Sequence, residues 1–213
     1  MTEHHPALRL SRAGAIRAGG TEAGYVIENV SFACERGTWT ALTGPSAADR
    51  TGVLRCAAGL DRPTEGEVRL AEGLRLAHLG LLPAADRPAG AGTLAAALGL
   101  LPPEGAAALG DAMRRLDLWE ERDTPVDDLT ERGRRAAAVA LAVADSPDVL
   151  IADGLTRGLP ADSAAAVLDV LRDAVDRRGL CVLASAEDLA SLERADAVVL
   201  LAAGRVVETR VMP

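Results

Sequence analysis

The stretch Val26–Asp61 reads VIENVSFACERGTWTALTGPSAADRTGVLRCAAGLD, and it decides the fold. Apolar residues recur through Val26–Phe32 and Trp39–Thr43, which predicts two strands separated by a charged turn. Small residues follow the second strand and lead into a helical pattern over about Arg50–Ala58. This order of strand, small-residue turn and helix predicts a unit built like a phosphate-binding loop.

Strand and helix patterns continue on both sides of this unit. The other expected elements are strands near Leu8–Leu10, Gly66–Leu70, Leu76–Leu82, Val149–Ala152 and Cys181–Ser185, a helix over Ala161–Arg178, and a hairpin of Ala197–Leu201 with Arg205–Glu208. Strands that alternate with helices predict an α/β fold with a largely parallel sheet.

Ala-rich helical sequence from about Thr93 to Ala144 interrupts the strand pattern. We therefore predict an inserted helical subdomain over about residues 84–146, between core segments of about 7–83 and 147–210. With 213 residues, 49% of them hydrophobic, the chain can bury one substantial core. A single domain over residues 1–213 is the expected organisation.

Composition also excludes several classes of function. The net charge of −8 is spread over mixed acidic residues and Arg, which argues against a nucleic-acid or anionic-membrane surface and favours a protein partner. No apolar run is long enough to span a membrane, and the polar N-terminus predicts a cytoplasmic protein. Cys34, Cys56 and Cys181 are widely spaced, which predicts buried thiols rather than disulfides or metal ligands.

The segment Val26–Asp61 resembles the ATP-binding cassette (ABC) transporter family, whose pattern is strand, ERGE-like turn, strand, phosphate loop and helix. The family order continues in TEGEVRL at Thr64–Leu70, SPDVLIAD at Ser146–Asp153 and AAGRVVE at Ala202–Glu208. The short motif GGTE at Gly19–Glu22 is similar to the branch that exports lipoproteins and macrolides or acts with division proteins. The resemblance implies a phosphate-loop NTPase-like core with a mainly parallel sheet, N-terminal antiparallel strands and an inserted helical subdomain.

The phosphate loop of the family needs G-x-x-x-x-G-K-[ST], whose backbone N–H groups and Lys hold the phosphates. The eight positions here are Gly44, Pro45, Ser46, Ala47, Ala48, Asp49, Arg50 and Thr51. The inner glycine is thus Asp49 and the lysine is Arg50. A carboxylate about 4 Å from a phosphate oxygen costs roughly 4 kcal/mol at an effective dielectric constant near 20, or about a thousandfold in affinity.

Two interpretations of Asp49 stay open. Its carboxylate could take the place of the missing phosphate at the helix N-terminus, where an anion is favoured. It could equally be an ordinary N-cap without functional meaning.

The resemblance places the catalytic pair Asp-Glu at Asp153 and Gly154. In the family the Asp supports magnesium and the Glu acts as the general base toward water. Gly154 has no side chain, so the usual base is absent. Thr51 and Asp153 remain as weak candidates for magnesium ligands, although an Asp at a strand end is as often a turn residue.

The family signature Leu-Ser-Gly-Gly-Gln, which binds the γ-phosphate held by the opposite subunit, also differs here. The corresponding residues are Leu129, Thr130, Glu131, Arg132 and Gly133. Charged side chains fill both glycine positions, so we expect a retained helix with an ordinary solvated start rather than a ligand site. The positions of the sensing Gln, the switch His and the dimer-loop Asp are also altered, to Ala84, Ala186 and Pro160, and that of the adenine-stacking aromatic falls near Ile16.

These replacements favour a non-hydrolysing subunit that serves a permease or an intact cassette as a structural or regulatory partner, with no cofactor or with weak ATP and Mg²⁺. The alternative is an active transport ATPase that uses Arg50, Thr51 and Asp153 with a base from its partner. Either a homodimer or a heterodimer is compatible with the sequence, and contact with the inner face of the membrane would come through the permease. A third possibility is a decaying gene product, against which the intact apolar periodicity argues only mildly.

Overall fold

The computed structural model describes residues 6–17, 24–81 and 92–212. The strands are β1 (Leu8–Arg17), β2 (Tyr25–Cys34), β3 (Trp39–Thr43), β4 (Glu65–Leu70), β5 (Leu76–Leu79), β6 (Val149–Ala152), β7 (Cys181–Ser185), β8 (Ala197–Ala202) and β9 (Arg205–Val211). The helices are α1 (Ala47–Ala57), α2 (Leu94–Leu100), α3 (Pro103–Arg115), α4 (Glu131–Ala144), α5 (Ala161–Arg178) and α6 (Leu189–Glu193).

Two sheets organise the described residues. The larger sheet has the order β5-β6-β7-β3-β8-β9, in which every pairing is parallel except that of the β8–β9 hairpin. The smaller sheet has the order β2-β1-β4 and is antiparallel. The predicted mainly parallel core and N-terminal antiparallel strands are both confirmed.

The larger sheet separates two apolar cores. Successive side chains of a strand point to opposite faces, so Leu150 of β6 packs toward α4 and α5, whereas Ile151 packs toward α1 and the smaller sheet. Both strands β6 and β7 are buried along their whole length. This explains why they appear in the sequence as continuous apolar runs rather than as alternating ones.

Helices α2, α3 and α4 lie between β5 and β6 in the chain, as the Ala-rich sequence predicts. Helix α3 packs against α4, and Leu109 and Met113 of α3 are fully buried. The first residues of the expected subdomain, 84–91, lie outside the described part of the chain, as does the motif Gly19–Glu22. The domain limits therefore stay predictions.

Several element boundaries differ from the sequence prediction, and two of the differences have a clear structural reason. Helix α1 begins at Ala47 rather than near Arg50, because Ser46 caps it. Strand β1 continues to Arg17, beyond the expected Leu10, through register shifts on both of its edges. Cys34, Cys56 and Cys181 are buried thiols, as predicted. A hydrogen bond with Cys34, together with burial, raises the pKa of Cys181. Among the described helices, none combines the length and apolarity needed to cross a bilayer.

Candidate functional site

The candidate site lies at the carboxyl ends of three neighbouring parallel strands. The loop after β3 starts at Gly44, the chain leaves β6 at Asp153, and it leaves β7 at Ala186. Strand registry brings these ends together, since Leu42 pairs with Ser185 and Ala152 pairs with Ala184. Such an edge is where open α/β sheets place their ligands.

The loop between β3 and α1 keeps the turn that the sequence predicts. Gly44 has φ 143, in the region that side chains rarely adopt, and a Cβ there would collide with the carbonyl oxygen of Leu201. Ser46 then caps α1, its Oγ accepting from the Asp49 N–H at 3.1 Å. Glycine at the first loop position and serine at the third are therefore explained by local structure alone.

Asp49 is not the N-cap of α1, and its carboxylate contacts another part of the chain. It lies in the first turn of α1, where Ser46 and not Asp49 is the N-cap. Its Oδ2 accepts a hydrogen bond from the backbone N–H of Gly204, at 3.0 Å, in the β8–β9 turn. The carboxylate is thus bound to the hairpin. The N-cap interpretation is wrong, and the phosphate substitute stays a prediction that this contact does not support.

Arg50 occupies the lysine position and is turned inward. Only 6% of the residue is exposed. Its Nη1 donates to the Gly44 carbonyl, and its Nη2 donates to Glu187 Oε1 at 2.7 Å. The Nε is buried and finds no hydrogen-bond partner among the described residues. The loop cation is therefore already bound to an anion of the same chain.

The two candidate magnesium ligands do come together. Thr51 Oγ1 donates to Asp153 Oδ2 at 2.6 Å, and Ser185 Oγ donates to Asp153 Oδ1 at 2.7 Å. In the described ranges no cluster of three or more His, Cys, Asp or Glu is arranged to hold a metal. One hydroxyl and one carboxylate still fit Mg²⁺, which commonly takes one or two protein ligands and completes its shell with water and phosphate oxygens.

The position of the general base is filled by another side chain. Gly154 has φ +64, and a Cβ there would lie 3.1 Å from Cζ of Arg157. The Arg157 guanidinium donates to Glu187 at 2.6 Å and 3.2 Å and lies 3.8 Å from Asp153 Oδ1. A cation thus stands where the family has a carboxylate.

The charges in this cluster stabilise one another. The hydrogen bond from Arg157, and then that from Arg50, hold the pKa of Glu187 below its ordinary value against the opposing effect of burial. The hydrogen bond with Glu187 raises the pKa of Arg157. Glu187 is therefore ionised at neutral pH, and the cluster Arg50, Glu187, Arg157 and Asp153 forms one connected set of ion pairs.

Sequence reasoning missed Arg157, Glu187 and Ser185. Each lies within three residues of a position that the family motifs single out, namely Gly154 or Ala186. A search for charges close to altered motif positions would have marked the two charged residues. Their pairing with Arg50 could not have been found that way, because it joins segments 137 residues apart.

The signature-like residues form an ordinary helix start, as predicted. Thr130 caps α4 by accepting from the Gly133 N–H at 3.1 Å, and Leu129 is buried. Glu131 pairs with Arg135 one turn later, at 3.1 Å, and its side chain is 80% exposed. Arg132 lies 4.0 Å from Glu121. These charges are satisfied within the subdomain or by solvent.

Of the four remaining altered positions, the structure describes three. Ala186 is buried and Pro160 precedes α5. Ile16 pairs across strands with Val26 and is 72% exposed, so an apolar but not aromatic side chain stands there. Ala84 lies outside the described residues.

Comparison with known sequences gives a consistent picture. A family model described as "ABC transporter" matches residues 27–157. The lipoprotein-releasing system ATP-binding protein LolD 1 of Rhodospirillum rubrum is 30% identical, over 94% of this chain and 97% of LolD 1. The methionine import ATP-binding protein MetN 1 of Rhodococcus jostii is 27% identical, over 89% of this chain and 62% of MetN 1.

Solved structures share the fold. A dimeric post-hydrolysis state of the ATP-binding cassette MJ0796, bound to ADP and Pi, superposes with a TM-score of 0.78 at 17% identity, covering 97% of this chain and 99% of that one. A nucleotide-free ATP-binding cassette from an ABC transporter gives a TM-score of 0.75 at 14% identity, covering 98% and 92%. At these identities the similarity establishes the fold alone, so any chemistry must be argued from the residues of the site.

Proposed function

Because the chain belongs to the ABC transporter family, we propose that it is a non-hydrolysing nucleotide-binding-domain homologue, acting as a structural or regulatory partner of a permease or of an intact cassette. The observation that carries this proposal is the environment of Gly154. Its backbone has φ +64, and the Arg157 guanidinium occupies the space that a side chain would enter.

A general base must accept a proton from the attacking water, which requires a carboxylate or imidazole within hydrogen-bond reach. Asp153 is a poor replacement, since both of its carboxylate oxygens accept hydroxyl hydrogen bonds, from Thr51 and Ser185. Glu187 is also engaged, by Arg50 and Arg157. Each nearby carboxylate is therefore held by donors that stabilise its ionised form and compete with water.

The signature-like region supports the same proposal. Close approach of an anion to a helix start favours bare backbone N–H groups. Here Thr130 already takes the Gly133 N–H, and Glu131 adds an exposed negative charge at the start of α4. The Glu131 carboxylate would repel a phosphate held at this helix by a second subunit, although its pair with Arg135 offsets part of that charge.

The partner proposal is supported by the relatives. One matching protein of Mycobacterium tuberculosis is named an ATP-binding/permease protein, and this chain covers 22% of it. A structural neighbour is described as dimeric. We extend these associations to this chain, with a permease or a second cassette as the partner and with both homodimer and heterodimer as possible forms.

Phosphate release from ATP and Mg²⁺ tests the proposal directly. The purified chain, alone and co-expressed with an intact cassette, is compared with that cassette by itself. We expect no turnover from the chain alone and no turnover in the complex beyond that of the intact partner. Magnesium-dependent hydrolysis by the chain itself would refute the non-hydrolysing role.

A second candidate function is an ATP-binding and ATP-hydrolysing transport subunit. The distance of 2.6 Å between Thr51 Oγ1 and Asp153 Oδ2 favours it, because the two oxygens that would serve magnesium lie side by side. Calorimetric titration with ATP and Mg²⁺ separates the two candidates at the binding step. Micromolar affinity would support the second, whereas no heat at millimolar ATP would support the first.

A further inference from the structure

Two arginines from different segments converge on one carboxylate oxygen. Arg50 Nη2 and Arg157 Nη2 lie 2.7 Å and 2.6 Å from Oε1 of Glu187, and Arg157 Nε lies 3.2 Å from Oε2. The Arg50 side chain is 7% exposed, the Glu187 side chain 31% and the Arg157 side chain 52%. The inner guanidinium is therefore desolvated and depends on this carboxylate for its counter-charge.

The Glu187 carboxylate lies close to the loop and to the start of α1, because its partner Arg50 belongs to both surroundings. Arg50 lies in the first turn of α1 and also donates to the Gly44 carbonyl, so its guanidinium is fixed against the loop. Charge-assisted bonds from two guanidinium groups are the usual means by which proteins hold carboxylate and phosphate oxygens. The N-terminal end of a helix adds a favourable potential for any anion seated there.

We propose that Arg50 and Arg157 form an oxyanion site whose resident anion is the Glu187 carboxylate, and that this site takes a phosphate oxyanion once the carboxylate is removed. The inference rests on the proposed non-hydrolysing function, because a chain that carries its own anion can keep the loop ordered without nucleotide. It names Glu187, rather than Asp49, as the group that stands in for phosphate.

The other charges near the site leave it available to an anion. Asp49 directs its carboxylate to the Gly204 N–H. Asp153 receives two hydroxyl hydrogen bonds and lies 3.8 Å from Arg157. Arg50 Nε is buried and has no hydrogen-bond partner among the described residues. Without Glu187, a buried cation would remain without its partner, which strongly favours uptake of an anion.

The test is thermal unfolding of Glu187→Ala against increasing inorganic phosphate. We expect the variant to unfold at a lower temperature than the wild type and to recover as phosphate is added. At 100 times the dissociation constant, linkage gives a rise of roughly 5–10 °C. The wild type and Glu193→Ala, which removes one exposed carboxylate from α6 and so matches the change in charge, should not respond.

Further variants assign the effect to the two arginines. Glu187→Ala combined with Arg157→Ala should lose most of the phosphate response. If Glu187→Ala does not fold, Glu187→Ser also vacates the position of the carboxylate between the two arginines, and it supplies the same readout. A folded Glu187 variant that is indifferent to phosphate, or as responsive as Glu193→Ala, would overturn the proposal.

Separate titrations with inorganic phosphate and with ATP identify the source of the oxyanion. A response to both, or to phosphate alone, supports the site. A response to ATP alone overturns it, because recognition would then come from the nucleoside. Hydrolysis by the wild type would refute the proposed function, whereas an absent phosphate response refutes only the oxyanion site.

Discussion

The carboxylate of Asp49 binds the backbone N–H of Gly204, with 3.0 Å between Oδ2 and the nitrogen. The contact joins the first turn of α1 to the β8–β9 hairpin across 155 residues of sequence. Asp49 replaces the inner glycine of the phosphate-loop motif, and it therefore has a structural role as well.

Asp49→Ala should lower the free energy of unfolding by about 1–2 kcal/mol, because it removes a half-buried hydrogen bond to a charged acceptor. Chemical denaturation measures the change. Asp49→Asn is the matched control, since its amide oxygen can still accept from Gly204, and we expect it to lose less than half as much. Equal losses in the two variants would show that charge, not the hydrogen bond, is responsible.

Restoring the phosphate loop alone should give little nucleotide affinity. In Asp49→Gly combined with Arg50→Lys, the new lysine still faces Glu187, so the site keeps its internal anion. Adding Glu187→Ala should increase the affinity for ATP at least tenfold beyond the double variant, as measured by calorimetry. The prediction is wrong if the double variant alone recovers the roughly thousandfold loss expected from a carboxylate near phosphate.

Much of the fold is predictable because the apolar pattern is strong. The runs at β6 and β7 are buried on both faces, so their sequences are continuous and easy to recognise. The start of α1 was less predictable, since Ser46 caps a helix whose first turn consists of small and polar residues.

The sequence predicted site residues only at positions that belong to the family motifs. Gly44, Thr51 and Asp153 were identified from the family motifs. Strand registry brings Gly44 and Asp153 to one edge of the sheet, and a hydrogen bond joins Thr51 to Asp153. The partners of Arg50 could not be identified, because Glu187 approaches it through tertiary packing and has no fixed spacing from the loop. The motif positions therefore showed which side chains of the family are missing from the site, but not which residues occupy their places.

Gly154→Glu should not restore hydrolysis. The backbone φ of +64 disfavours any side chain there, and the new carboxylate would meet the Arg157 guanidinium, which would bind it as an ion pair. We expect a loss of about 1 kcal/mol in unfolding free energy from the backbone alone. Gly154→Ala carries the same backbone strain without the carboxylate and is the control. Phosphate release by Gly154→Glu above that of Gly154→Ala would contradict this prediction.

Acid should remove the contribution of Glu187 to stability. The hydrogen bond from Arg157 and then that from Arg50 lower its folded-state pKa below the ordinary 4.5. A group with a lowered pKa stabilises the fold fully above its unfolded-state pKa, and this stabilisation fades as the pH falls through the folded-state value. Asp188 also has a lowered pKa: burial raises it, but the hydrogen bonds with Thr156 and Ser191 and the charge of Arg194 together lower it further. The comparison must therefore be between the wild type and Glu187→Gln. The difference in their unfolding free energy should be constant near neutral pH and should shrink below about pH 4.5. A difference that stays constant into the acid range would show that Glu187 does not titrate as an ion-paired carboxylate.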